Sequence, residues 1–161
     1  MRKILESVGL AALALLAWIT LRALRGPARL PARIPTHFDL AGHPDAWGSP
    51  AMLLLLPAVA AAVYLLISVV ARLPGAFNYP VRVTAQNRPR LEALALAMIT
   101  WLKAELACLF AAIQWFSIQA ARDPRRGLPA NIMPAILVVV FATIAWYTCA
   151  MFRVGRNPAR S

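Results

Sequence analysis

Long apolar runs alternate along this chain with short connectors that are polar, basic or rich in proline. Four runs approach or exceed the roughly 20 residues that a helix needs to cross hydrocarbon. They lie at residues 4–24, 51–70, 95–120 and 130–152. The pattern predicts an all-α polytopic membrane protein, a four-helix transmembrane bundle in one domain over residues 1–161. The first run starts behind Arg2 and Lys3, as a signal peptide would. It is long for a signal core and three more spans follow it, so it is expected to stay as the first helix. Glu6, one turn from its start, is expected at headgroup depth, solvated or paired with Arg2 or Lys3. Pro57 should kink or loosen the second helix, which membrane helices tolerate when a neighbour takes up the freed carbonyl. Pro134 is acceptable in the first turn of the fourth. The connector 73–90, with Pro74, Gly75, Pro80 and Pro89, shows no periodicity and no core.

The third run is the most polar, with Lys103, Glu105, Gln114, Ser117 and Gln119 inside it. At about 100° per residue, Thr100, Lys103, Ala107, Phe110, Gln114 and Ser117 share one stripe. Such a stripe should face the bundle interior or an aqueous cleft. Lys103 and Glu105 point to opposite sides of the helix, so they cannot pair with each other. Lys103, about three turns from the start of the run, has two readings: a functional group, or a side chain that snorkels to the interface. Glu105 reaches less far and should have a buried partner, in the polar loop described below or on the fourth helix.

Charge changes the picture little. The net charge of +11 would suggest nucleic acid in a soluble chain. Here the arginines flank apolar runs, where they anchor helix ends against anionic headgroups, and no nucleic-acid partner is expected. With four spans the termini share a side. That side carries nine Lys and Arg (2, 3, 72, 82, 88, 90, 153, 156, 160) against seven (22, 25, 29, 33, 122, 125, 126) on the other. The excess favours cytoplasmic termini. Cys108 and Cys149 lie inside apolar runs, outside any C-x-x-C pair, and are expected to be small, buried and unpaired. Trp18, Trp101, Trp115, Trp146 and Tyr147 suit interfacial belts or helix packing.

The dense segment is 30–50, LPARIPTHFDLAGHPDAWGSP, between the first two spans. In extended backbone residues i and i+2 point the same way. His37 can therefore converge with Asp39, as can His43 with Asp45 where that stretch is extended, and Gly42 and Pro44 supply a turn that can fold one pair onto the other. Imidazole and carboxylate are the ligand set of zinc and related ions, so His37, Asp39, His43 and Asp45 are metal candidates. No spacing here matches a zinc pattern. The expectation is a hydrogen-bonded loop with Phe38 and Trp47 as interfacial anchors and no cofactor.

The motif L-P-x-x-I-P-T-H-F-D-x-x-G-x-P-D-x-W-G-S resembles the signature of a bacterial membrane family, domain of unknown function 1648. That domain also forms the N-terminal part of SdpI-type immunity proteins, which protect cells from a secreted toxin. The matching positions are Leu30, Pro31, Ile34, Pro35, His37, Phe38, Asp39, Gly42, Pro44, Asp45, Trp47 and Gly48. Members usually carry a lysine after Gly-Ser, where this chain has Pro50. The resemblance implies a multi-pass protein of the bacterial cytoplasmic membrane whose outer loop, through His37, Phe38, Asp39, Gly42, Pro44, Asp45 and Trp47, meets an extracellular peptide or toxin, in immunity or envelope stress. The alternative is a small transporter or channel subunit using Lys103, Glu105 and Gln114. No H-E-x-x-H, G-x-S-x-G or phosphate-binding glycine loop is present, and an enzyme is not expected.

Overall fold

The computed structural model describes residues 1–26, 30–39, 41–73, 75, 77–123, 129 and 131–156, with Met133 described by its backbone alone. Helix α1 covers Arg2–Arg25. An antiparallel hairpin follows, β1 (Ile34–Phe38) paired with β2 (Pro44–Gly48). A 3₁₀ turn at Pro50–Leu54 leads into α2, Leu55–Val70. Helix α3 is Arg88–Arg122 and α4 is Ile132–Arg156. Four helical stretches are long and apolar enough to cross a membrane. The fold is the expected helical membrane bundle, with the small sheet as its polar cap.

Helix α3 is the centre of the bundle, packing against α1, α2, α4 and β1. It runs parallel to α1, and the two helices meet through small residues. Ala12 and Ala107 share a buried cluster with Tyr64, and Leu16 and Ala111 share one with Ala60. Alanines let helix backbones approach closely where water supplies no hydrophobic drive. Gly9 serves the same end against α2: a Cβ there would stand 2.8 Å from the Tyr64 ring. At the end of α1 nearest the hairpin, Ile19, Ala23, Leu53, Ile118 and Ala121 close around Ile34, which is fully buried.

At roughly 50 Å, α3 is much longer than hydrocarbon is thick. Its first turns extend beyond the level of α1's start, and the 73–90 connector covers them. Contrary to the expectation of no core, Phe77, Tyr79, Val81 and Val83 pack on Leu91, Ala95, Met151 and Val154. Their alternation is the period of extended chain, and it was hidden by Pro80. Asn87 stops the connector. Its Oδ1 accepts from the Thr84 N–H at 2.7 Å, its Nδ2 donates to the Arg82 carbonyl at 2.9 Å, and its own N–H reaches Thr84 Oγ1 at 3.3 Å. Pro89 then sits in the first helical turn, where no N–H is needed. The cysteines are free, as expected, but both are exposed and not buried.

Pro57 has no N–H to give to the carbonyl four residues back, that of Leu53. Gln114 takes the vacant role: its Nε2 donates to Leu53 O at 2.9 Å and to Thr20 Oγ1 at 2.8 Å. Thr20 in turn donates to Leu16 O at 2.7 Å. Gln114 is 1% exposed, so no water can substitute. Gln114→Leu should cost about 1–3 kcal/mol, the penalty for an orphaned buried carbonyl. In a Pro57→Ala background, where the backbone N–H at position 57 returns, that loss should shrink markedly. Thermal unfolding of the four proteins in mild detergent measures both.

Candidate functional site

The hairpin between α1 and α2 gathers the polar residues singled out in the sequence. Its register pairs Ile34 with Gly48, Pro35 with Trp47, His37 with Ala46 and Phe38 with Pro44, with irregularities on either side of His37. The tip is a tight turn in which the Gly42 N–H donates to the Asp39 carbonyl at 3.0 Å. Gly42 adopts φ 85°, a conformation that L side chains rarely take, which explains glycine at this position. Ile34 and Pro35 are buried; His37, Asp39, His43, Asp45, Ala46 and Trp47 are exposed and Phe38 is half-buried. The hairpin is therefore fixed at its base and polar at its tip.

The histidines and aspartates pair across the hairpin, not along the strand. His37 Nδ1 lies 2.6 Å from Asp45 Oδ1, and His43 Nδ1 lies 3.5 Å from Asp39 Oδ2. The expected i, i+2 pairs give way because antiparallel folding sets each residue against its cross-strand neighbour. The Gly42 turn does bring the two H-x-D triplets together. It brings them as two separate pairs: among the described residues, no three His, Cys, Asp or Glu side chains converge. Arg33 Nη2 reaches the Trp47 carbonyl at 3.5 Å and ties the hairpin's base. Beneath the hairpin is a cavity of about 280 Å³ whose walls include Pro35, His37, Phe38, Leu53, Gln114 and Ser117.

The stripe on α3 faces the interior as expected: Thr100, Lys103, Ala107 and Gln114 are all buried. Lys103 does not stand alone. Its Nζ lies 2.8 Å and 2.6 Å from the two oxygens of Glu6 and 3.1 Å from Ser68 Oγ. It also sits 4.4 Å from the centre of the Tyr64 ring, whose hydroxyl donates to Glu6 Oε2 at 3.0 Å. The expectation that Glu6 is solvated or paired with Arg2 or Lys3 is thereby corrected. α1 and α3 run side by side with this carboxylate level with this ammonium; the Lys103 side chain is 6% exposed and that of Glu6 36%. The cluster of Glu6, Tyr64, Ser68 and Lys103 was not read from the sequence as a unit. Its signal was present as two opposite charges, each inside an apolar run. Arg2, Lys3, Arg72 and Thr100 join it around a cavity of about 590 Å³ on the side of the termini.

Glu105, on the opposite face of α3, finds its partner on α4, one of the two expected places: Thr143 Oγ1 donates to its Oε1 at 2.5 Å. Its Oε2 is buried and has no hydrogen-bond partner among the described residues.

Residues 9–61 match the family model described as Domain of unknown function (DUF1648). This segment is similar to that domain. In the structure it is one helix–hairpin–helix unit, from Gly9 in α1 through both strands to Ala61 in α2. Helices α3 and α4 lie outside the DUF1648 match. No curated protein and no solved structure matches the chain.

The hairpin has a built-in response to acid. The His43 backbone N–H, 2.8 Å from Asp39 Oδ1, holds the Asp39 carboxyl below its ordinary value of 3.8; slight desolvation opposes this and the His43 charge and Ala41 N–H assist. A lowered folded value stabilises the turn above the ordinary value, and that support is lost as pH falls through the lowered one. The Asp39 carboxyl carbon resonance should therefore titrate with its midpoint below 3.8, and the His43 amide resonance should be displaced in Asp39→Ala.

Proposed function

We propose that this is a non-enzymatic, SdpI-like protein of the bacterial cytoplasmic membrane whose outer hairpin recognises a peptide, with the termini in the cytoplasm. The observation that carries the reading is the hairpin's construction. A buried base, Ile34 and Pro35, locks it to the end of the bundle, while His37, His43, Asp39, Asp45 and Trp47 stand in solvent. A recognition element needs this combination, because a pre-organised surface loses little entropy on binding. The two-stranded ribbon also leaves free strand edges for an extended peptide, and the cavity beneath it would take an apolar side chain. A toxin met from outside the cell, as in immunity, or a peptide released under envelope stress suits such a surface. The basic residues at the helix ends keep the bundle in an anionic bilayer.

A transporter or channel subunit is the second reading. It is favoured by the Glu6–Lys103 pair at the wall of a large polar cavity open to the side of the termini. Flux in liposomes that is lost on Glu105→Gln or Lys103→Met would support it, and absence of flux in a folded sample would remove it.

The recognition reading makes two demands. In intact cells, Ala46→Cys in a chain with Cys108→Ala and Cys149→Ala should react with a membrane-impermeant maleimide added outside. Peptides selected from a random library against the protein in nanodiscs should lose binding to a His37→Ala, Asp45→Ala, Trp47→Ala variant. Labelling only after cell lysis, or binders indifferent to the triple variant, would defeat the proposal.

A further inference from the structure

A second site lies away from the hairpin, where α1, α3 and α4 leave a groove on the lateral face of the bundle. Its cavity of about 400 Å³ has walls that include Val8, Trp101, Cys108, Ala112 and Val139, and among these apolar side chains it holds one carboxylate, Glu105. The volume is within the range of small-molecule sites. One carboxylate oxygen is satisfied by Thr143, while the other is buried without a partner among the described residues. The nearby cation of α3, Lys103, is taken by Glu6 on the opposite side.

A charge in such surroundings is costly unless an opposite charge meets it. The groove faces the bilayer, so its occupant must be soluble in hydrocarbon over most of its surface. A carboxylate in an apolar, laterally open pocket selects an apolar body bearing a positive charge. We propose that this groove binds a lipophilic cation, a small molecule with aromatic or aliphatic bulk around a protonated or quaternary centre, with its charge set against Glu105. Trp101 adds an aromatic wall, which suits a diffuse cation. The proposal concerns binding and stands whether or not the chain transports, so flux and binding fail separately.

Tetraphenylphosphonium is the probe, with the full chain purified in mild detergent. Wild type should bind it saturably at one site per chain. Glu105→Gln, which removes the charge, and Ala112→Trp, which fills the groove and keeps the Glu105 charge, should each weaken binding by about tenfold or more. Glu92→Gln, a carboxylate outside the groove, should leave it unchanged. Neutral triphenylphosphine oxide at equal concentration should not displace the cation from wild type. No saturable binding by folded wild type, unaltered affinity in Glu105→Gln, or displacement by the neutral analogue would overturn the proposal. If Glu105→Gln does not fold, wild-type affinity in Ala112→Trp overturns it.

Discussion

A polar side chain at membrane depth has little water to fall back on, and those of α3 include Lys103, Glu105 and Gln114. Each must find its partner within the protein, and each finds it on different elements. Lys103 meets Glu6 of α1 and Ser68 of α2. Gln114 meets Thr20 of α1 and the Leu53 carbonyl at the entry to α2. Glu105 meets Thr143 of α4. Apolar packing between membrane helices is poorly directional, because lipid is as apolar as leucine. Polar pairs are directional, so these contacts fix which face of each helix looks inward and at what height. Lys103 and Gln114 both bind α1, about three turns apart, and together they set its register along α3.

The hairpin depends on that frame. It forms within a helix–hairpin–helix unit, and its Ile34 is buried only because α1, the turn before α2 and α3 converge there. Helix α3, outside the DUF1648 match, contributes partners that hold the matched segment. Gln114 is the clearest case. It completes the hydrogen-bond ladder that Pro57 interrupts, and it also lies in the wall of the cavity beneath the hairpin. Packing in the membrane and presentation of the polar cap thus share a residue.

Much of this was legible in the sequence. The four spans follow from run length, the inward face of α3 from its polar stripe, and the turn at Gly42 from composition. The need for a neighbour to rescue the carbonyl freed by Pro57 was also readable; its identity as Gln114 was not. What could not be read were pairings between segments distant along the chain. Glu6 and Lys103 are visible as charges in apolar runs, but their being level depends on how α1 slides against α3. His37 with Asp45 is a consequence of register, which strand alternation alone leaves open. The connector before α3 misled through its prolines, which hid the alternation of Phe77, Tyr79, Val81 and Val83.

The Glu6–Lys103 pair is the lock between α1 and α3. A double-mutant cycle tests it directly, with Glu6→Gln, Lys103→Met and the pair together compared with wild type by unfolding in mild detergent. An ion pair whose ammonium is buried and whose carboxylate is partly exposed predicts that the two losses do not add, with a coupling on the order of 0.5–3 kcal/mol. Losses that add to within about 0.5 kcal/mol, the behaviour of independent sites, would show that the two groups do not meet, and the parallel packing of α1 on α3 would have to be redrawn.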